Sequence, residues 1–229
     1  MTATTSSAFP TAPATLFKAL ADDTRLTLLR LLAHTDLTVA ELQPAVGLPQ
    51  NLVSYHLRLL REAGLVRAHR SSHDGRDVYY GLDPAGAARL RGALAEVLGD
   101  VAPLPSPAAA ERWPSVLFLC THNSARSQLA EALLRRATGG AVAVTSAGTE
   151  PGTLHPQTAR LLAGWGIDPA AHHSKGLEAL AGRKFDWVVT VCDRAREQCP
   201  ADFAASHRLH WSVPDPAALP AAEQPAAFD

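Results

Sequence analysis

Long apolar runs, lysine and cysteine are all scarce in this sequence. No run of about 18 consecutive apolar residues occurs, which argues against a membrane-spanning helix. The first residues, 1–13, have neither a basic start nor an apolar core, which argues against a secretory signal. We therefore expect a cytoplasmic protein with no membrane partner. With 229 residues, 47% of them hydrophobic and 19% charged, the chain suits two modest globular domains.

Cysteine occurs only as Cys120, Cys192 and Cys199, and lysine only as Lys18, Lys175 and Lys184. An odd number of cysteines in a cytoplasmic chain argues against a structural disulfide framework and favours thiol chemistry or metal binding. The formal net charge of −1 neither requires nor excludes nucleic acid as a partner.

The stretch Val116-Leu-Phe-Leu-Cys120-Thr-His-Asn-Ser-Ala-Arg126-Ser127 contains the strongest signal for chemistry. Its apolar start predicts a buried strand, and residues 127–136 predict a helix. The loop between them would direct backbone N–H groups inward at a helix N-terminus, which stabilises a bound anion. The same dipoles and the Arg126 guanidinium should favour a thiolate at Cys120. Arg126 also offers two parallel donors to a tetrahedral oxyanion. The other residues expected to form this cradle are Thr121, His122, Asn123, Ser124, Ala125 and Ser127.

A simpler interpretation makes Cys120 an ordinary core cysteine at the end of a strand. That interpretation does not explain Arg126 and Ser127 together with the strand, loop and helix. The stretch resembles the oxyanion loop of the low-molecular-weight tyrosine phosphatase fold, which thiol-dependent arsenate reductases also use.

Residues 14–100 predict short helices followed by a β-hairpin. Regular apolar spacing indicates helices over residues 15–21, 24–34 and 37–46, with Thr38 as a candidate N-cap. A further helix over residues 50–63 has an apolar face and a polar N-terminal end. Two strands then flank a turn, with arginines along this predicted wing. The side chains expected to contact DNA bases or phosphates are Gln50, Asn51, Ser54, Tyr55, His56, Arg70 and Arg76.

This half resembles the ArsR/SmtB family of winged-helix repressors. The resemblance is carried by Leu-Ala-Asp-Asp-Thr-Arg25, Val53-Ser-Tyr-His-Leu57 and Gly64-Leu-Val66. It implies operator DNA as a partner and a homodimer formed through the first and last helices, residues 14–21 and 84–98. The alternative is a helical dimerisation module with a solvated polar face. The family's metal-sensing cysteines, histidines and aspartates are missing from residues 39–46 and 84–98, and we expect no metal site.

Proline-rich residues 101–114 indicate a semi-rigid linker. The expected domains are thus a disordered segment 1–13, a winged helix-turn-helix domain of α+β class over 14–100, the linker, and an α/β domain over 115–229. In the last of these, strands alternate with helices, which predicts a parallel sheet. Cys120 and Cys192 each end or follow a strand, so both should lie at the ligand-binding edge of the sheet.

Cys199 lies beyond Cys192 in a segment that, if helical, separates the two by about 10 Å. A disulfide needs Cα atoms within about 7 Å, so bridging would require local unwinding. The alternative is a pair of cysteines that happen to share one surface turn.

The set Cys120, Cys192 and Cys199 resembles the thioredoxin-coupled arsenate reductases. The segment His210-Trp-Ser-Val-Pro-Asp215-Pro-Ala217 is similar to that family's acid loop. This resemblance implies that Cys120 attacks arsenate held by the loop and Arg126, and that Asp215 assists the departing oxygen. Cys192 and Cys199 would then resolve the intermediate to a disulfide reduced by thioredoxin or another thiol. Phosphate or sulfate would mimic the substrate, and no tightly bound cofactor is implied.

Asp215 could instead be a plain Asp-Pro turn. Phosphotyrosine phosphatases have an aromatic residue after the Asp-Pro pair, and Ala217 stands in that place here. The resemblance leaves three functions open: arsenate reduction joined to DNA-binding regulation, an arsenate-sensing repressor without turnover, or a phosphatase fused to a regulator.

Three features depart from the arsenate reductase pattern. Ala125 replaces a loop cysteine found in some relatives, which leaves the relay intact. Asn123, Glu131 and Ser146 match positions that hold a potassium ion in some members, but Lys175 stands where those members have an acid, and we hypothesise that its ammonium replaces the ion. The family usually closes with a helix after the acid loop, whereas this sequence ends at Asp229. We therefore expect the final helix to be lost or the chain to be trimmed.

Overall fold

The structure, a computed structural model, describes residues 13–73, 75–99, 113–199 and 205–228. Residues 1–12 of the predicted disordered segment and most of the predicted linker lie outside these residues, whereas Pro13 begins a helix. The described helices and strands fall into two compact units. None of the described helices has the length and apolar character needed to cross a membrane.

The first unit is a winged helix, as predicted. Its elements are α1 Pro13–Leu20, α2 Asp23–Leu32, α3 Val39–Val46, α4 Gln50–Glu62, β1 Val66–Arg70, β2 Val78–Leu82 and α5 Pro84–Leu98. The two strands pair antiparallel with Val66 opposite Leu82. Leucines from α1 to α4 and from the start of the hairpin form its core, among them Leu28, Leu42 and Leu57, which are fully buried.

Local sequence fixes the helix boundaries of this unit. Asp22 accepts the backbone N–H of Arg25 at 2.9 Å and caps α2. Thr38 and Glu41 form a reciprocal capping box at the start of α3, which satisfies two N–H groups that the helix leaves open. The helix ends at Gly47, whose φ of 66° suits glycine.

The second unit is an α/β domain, which confirms the predicted fold class. Its elements are β3 Ser115–Cys120, α6 Arg126–Ala137, β4 Ala143–Gly148, α7 Pro156–Gly164, β5 Phe185–Thr190, α8 Asp193–Gln198, β6 Ala205–His210 and α9 Gln224–Phe228, with 3-10 turns at Pro169–Ala171, Leu177–Leu180 and Pro216–Ala218. The sheet has four parallel strands in the order β4-β3-β5-β6. Alternate residues of β3 enter two cores, one on each face of the sheet.

This strand order places Cys120 at a switch point. The neighbours of β3 are β4 on one side and β5 on the other, so the crevice beyond its carboxyl end is where open α/β sheets bind ligands. Cys120 is the last residue of β3 and pairs with Gly148, the last residue of β4.

Two sequence expectations need correction. The sequence over residues 172–182 also suggests a helix, but the structure has only the 3-10 turn Leu177–Leu180 there. Of the two alternatives for the chain end, loss of the final helix is wrong, because the five-residue helix α9 follows the acid loop. Phe228 of α9 stacks on the His155 ring at the start of α7, with 4.9 Å between ring centroids. Strand β6 was not predicted from the sequence.

Candidate active site and nucleic-acid interface

Cys120 lies at the floor of a loop whose inner atoms face its sulfur. Its side chain is 2% exposed, and Sγ lies 2.9 Å from Ser127 Oγ. The backbone N–H of Asn123 donates to the same sulfur at 3.2 Å. Because Ser127 Oγ already accepts from Asn123 Nδ2 at 2.9 Å, its own hydrogen is available for the sulfur.

The start of α6 suits an anion. The N-cap residue is Ala125, whose side chain has no acceptor, and no side chain caps this helix. The first N–H groups of an α-helix have no intrahelical acceptor, so an uncapped start leaves donors and a positive dipole for a ligand. Thr121, Asn123, Ala125 and Ser127 are buried, whereas His122 is exposed and Ser124 is half-buried.

Asn123 organises the loop from behind. It has a φ of 48°, a left-handed conformation that asparagine tolerates better than most residues. Its Nδ2 also donates to Ser146 Oγ at 2.8 Å, and its Oδ1 accepts from Gln128 Nε2 at 3.0 Å and from the backbone N–H of Lys175 at 2.9 Å. Every side-chain hydrogen-bonding group of Asn123 therefore serves to fix the loop.

Gln128 and His172 form a second support that sequence analysis missed. Gln128 Nε2 also donates to the carbonyls of Asn123 and His173. Its Oε1 can only accept, so His172 Nδ1, at 3.0 Å, must carry a hydrogen. Burial lowers the pKa of His172, which favours the neutral imidazole. No sequence signal pointed to this pair, because Gln128 and His172 are 44 residues apart and their contact forms only in the folded domain.

A buried acid with several partners lies beneath this loop. Glu131 is 5% exposed, and its carboxylate accepts from Ser146 Oγ at 2.6 Å and from Arg135 Nη2 at 2.6 Å. Lys175 Nζ lies 3.8 Å from Glu131 Oε2. A buried charge is tolerated only with such compensation.

Arg126 and Asp215 meet at the mouth of the loop. Arg126 Nη2 donates to Asp215 Oδ2 at 2.8 Å, and Nη1 donates to the carbonyl of Val213 at 3.1 Å. The Arg126 side chain is 10% exposed and the Asp215 side chain 35% exposed. Asp215 Oδ1 accepts from the backbone N–H of Ala217 at 3.1 Å, so this residue also caps its own Asp-Pro turn.

Cys192 lies next to the same loop. Its Sγ is 3.4 Å from Thr121 Oγ1 and accepts the backbone N–H of Ala195 at 3.4 Å, as the N-cap of α8. Burial raises the pKa of the Cys192 thiol, and the contact with Thr121 partly offsets this effect. Cys199 is half-buried at the other end of α8, with Arg208 Nη1 3.7 Å from its sulfur. None of the three cysteines forms a disulfide in this structure.

Comparison with known proteins identifies both halves. Residues 115–225 match the family model described as low molecular weight phosphotyrosine protein phosphatase, and residues 22–68 match that of bacterial regulatory proteins of the arsR family. An arsenate reductase of Brevibacillus brevis is 37% identical over 107 residues, which are 47% of this chain and 80% of that protein. The chain belongs to the arsenate reductase family.

Two solved structures are similar to one half each. "An arsenate reductase in the phosphate binding state" is 27% identical and covers 50% of this chain and 88% of its own, with a TM-score of 0.44. "Crystal structure of Possible transcriptional regulator for arsenical resistance" is 38% identical and covers 37% of this chain and 85% of its own, with a TM-score of 0.34. Family membership rests on the sequence matches alone.

In the arsR-type half, α4 presents a polar strip. Gln50, Asn51, Ser54 and Tyr55 are exposed on it, opposite a buried apolar face. Tyr55 is held by the Arg58 guanidinium, 5.4 Å above its ring. Arg70 at the end of β1 and Arg76 before β2 are exposed.

His56 departs from the prediction that it faces DNA. Its side chain is only 14% exposed, and Nδ1 lies 3.7 Å from Asp22 Oδ1. The backbone N–H of Arg25 lowers the pKa of Asp22, which keeps that carboxyl charged beside the imidazole. His56 thus lies between α4 and the start of α2 and not on the exposed strip. Arg67 of the wing is likewise engaged, with Nη2 3.0 Å from Oδ2 of the buried Asp36.

Within the described residues, no group of three or more His, Cys, Asp and Glu side chains is placed to hold a metal ion.

Gly148 tests how tightly the loop is packed. A Cβ at this position would lie 2.6 Å from the carbonyl oxygen of Thr121 and 2.9 Å from the backbone nitrogen of Asn123. Backbone atoms cannot move aside cheaply, so Gly148→Ala should lower the free energy of unfolding by about 1–3 kcal/mol. Gly152→Ala is the control, because its Cβ would be 3.7 Å from His122 Cβ. Urea unfolding of both variants measures the free energy of unfolding. Equal values for Gly148→Ala and Gly152→Ala would contradict the prediction.

Lys175 gives a second prediction. If its ammonium stands in for a potassium ion beside Glu131, Lys175→Ala should unfold at a higher temperature in potassium chloride than in choline chloride of equal ionic strength. The wild type and the exposed Lys184→Ala variant should show no such difference. A Lys175→Ala variant insensitive to potassium would reject the hypothesis.

Proposed function

We propose that this chain reduces arsenate to arsenite by a relay through Cys120, Cys192 and Cys199, and that its first domain is the DNA-binding regulator of the same response. The observation that carries the proposal is that two sulfurs lie against one loop. Cys120 is the floor of the loop, and Cys192 contacts Thr121 of that loop. An anion site alone would not need the second sulfur.

The first step forms a bond between Cys120 Sγ and arsenic. Ser127 and the backbone N–H of Asn123 stabilise the attacking thiolate, and the open N–H groups of α6 with Arg126 bind the arsenate oxygens. One As–O bond breaks, and the oxygen leaves as water. Asp215, held by Arg126, assists by transferring a proton to it.

The second step makes the reduced product. Cys192 thiolate attacks Cys120 Sγ, so that an S–S bond forms and the S–As bond breaks. The electron pair of the broken bond stays on arsenic, which passes from As(V) to As(III) and leaves as arsenite. Because burial raises the pKa of Cys192, this step should become faster as pH rises above neutral.

The third step moves the oxidation away from the loop. Cys199 thiolate attacks Cys192 Sγ, which forms the 192–199 disulfide and returns Cys120 as a thiolate. The two cysteines flank the six-residue helix α8, which must open to let them meet. Cys199 is the more accessible of the two, which suits presentation of the disulfide to thioredoxin or a low-molecular-weight thiol.

The regulator domain would bind operator DNA as a homodimer. The polar strip of α4 would enter the major groove, with Arg70 and Arg76 on phosphates. The last helix, α5, leaves Leu94, Val97 and Leu98 exposed at 41%, 68% and 64%, which favours pairing through this helix. We propose that the two domains span residues 14–100 and 115–229 and that the protein is cytoplasmic.

The relay is tested by following arsenite production from arsenate with thioredoxin, thioredoxin reductase and NADPH. Cys199→Ser should lose steady-state turnover yet still release about one arsenite per chain, because the first two steps do not use Cys199. The stalled protein should hold a 120–192 disulfide. Steady turnover in Cys199→Ser with thioredoxin would reject the third step. If neither protein produces arsenite but arsenate still releases the protein from its DNA, the chain is an arsenate sensor and not a reductase.

DNA binding is tested with the region upstream of the protein's own coding sequence. Asn51→Ala should weaken specific binding about 5- to 150-fold, since one good base contact is worth about 1–3 kcal/mol. Binding to DNA of scrambled sequence should stay unchanged. Thr27→Ala on α2 is the control and should bind as the wild type does. If Asn51→Ala and the wild type bind the upstream DNA with equal affinity, the proposed base recognition by Asn51 of α4 is rejected.

A further inference from the structure

The acid loop, residues 211–215, is fixed at two places. Arg126 holds its far end through Val213 and Asp215. Its near end is held by Ser212, whose Oγ donates to Asp193 Oδ1 at 2.5 Å. This second contact has no part in the relay described above.

The contact with Asp193 belongs to a buried polar chain. The residue exposures of Asp193, Ser212 and His210 are 3%, 7% and 1%. His210 Nε2 lies 2.9 Å from Ser212 Oγ and 3.3 Å from Asp193 Oδ1. Since the single Ser212 hydrogen goes to the carboxylate, His210 Nε2 must carry a hydrogen and donate to Ser212. His210 Nδ1 in turn lies 2.9 Å from Thr190 Oγ1 at the end of β5.

Such a chain is strong only while all of its members stay in place. Each bond here is shielded from water, so breaking one leaves a buried polar group unsatisfied. The chain therefore resists small displacements of the acid loop. It does so only if Asp193 itself is held still.

Asp193 lies where the relay requires motion. It is the first residue of α8, directly after Cys192, and α8 ends at Gln198, directly before Cys199. A disulfide needs Cα atoms within about 7 Å, whereas the ends of such a helical segment are separated by about 10 Å. Joining the two sulfurs must therefore open α8 and move its first turn.

We propose that Asp193 and Ser212 are positioning residues that hold the acid loop only while α8 is helical. Formation of the 192–199 disulfide pulls Asp193 from Ser212 and His210 and frees the acid loop. With Arg126 as its single remaining anchor, the loop becomes mobile and Asp215 is no longer held steadily at the mouth of the oxyanion loop. The role of this release in the reaction rests on the proposed function. It would keep the oxidised protein from engaging another arsenate before its disulfide is reduced.

The link between the 192–199 disulfide and the mobility of the acid loop is tested in the full chain carrying Cys120→Ser. This substitution leaves Cys192 and Cys199 as the only thiols. Diamide oxidises these to the disulfide by taking two electrons and two protons, and loss of both thiols without dimer formation verifies the product. Amide hydrogen exchange of residues 211–218 is then compared between reduced and oxidised protein. Oxidation should speed exchange about 10-fold or more, because the loop loses one of its two anchors.

Variants on the same background separate the link from general loosening. Reduced Ser212→Ala and reduced Asp193→Ala should each show the fast exchange of the oxidised protein, and oxidation should then add less than about 2-fold. Both substitutions remove the Ser212–Asp193 bond, so the double variant should speed exchange by less than the product of the two single effects. Ser206→Ala, an exposed serine on β6, is the control and should behave as the parent does.

Loop exchange that does not change on oxidation would overturn the proposal, as would slow exchange in both reduced variants. The arsenite assay is independent of this measurement. Failure to produce arsenite together with redox-dependent loop exchange would reject the proposed function and keep the link. Arsenite production together with loop exchange that does not depend on oxidation would support the proposed function and reject the link.

Discussion

An anion cradle built from backbone N–H groups depends on those groups remaining unpaired, and here the side chain of Asn123 makes that possible. The hydrogen bonds of its side-chain amide hold the loop from its outer side, and their partners are Ser127, Ser146, Gln128 and Lys175. The left-handed conformation of Asn123 turns the chain so that its own N–H points at Cys120. Without these bonds the loop amides would find other acceptors, and the sulfur would lose its donors.

The residues that support the loop come from several separate elements of the second domain. Gln128 comes from α6, Ser146 from β4 and Lys175 from the segment before β5, and each reaches Asn123. Burying so many polar groups is stable only when each is paired, and the bonds among them meet that requirement. Glu131 beneath them is a buried charge that Ser146, Arg135 and Lys175 compensate.

Sheet topology brings the chemistry together. Parallel strands end at one edge, so Cys120 after β3, Cys192 after β5 and the acid loop after β6 share one crevice although they are distant in sequence. The helix α8 stands between two of the cysteines, and its first residue, Asp193, bonds to the acid loop. In the proposed relay, this arrangement would link the groups that act first on an oxyanion to the segment that is oxidised last.

Local sequence determined the elements and the reactive loop. The capping box at Thr38, the apolar face of α4 and the order Cys120, Arg126, Ser127 depend on residues within one or two turns of each other, where spacing alone dictates geometry. Only the tertiary structure decided which distant side chains meet. It turned His56 towards Asp22, joined Gln128 to His172, paired Asp193 with Ser212 and packed a short α9 on His155. Those partners are separated by many residues, and a contact between two polar side chains leaves no periodic trace in sequence by which it could be found.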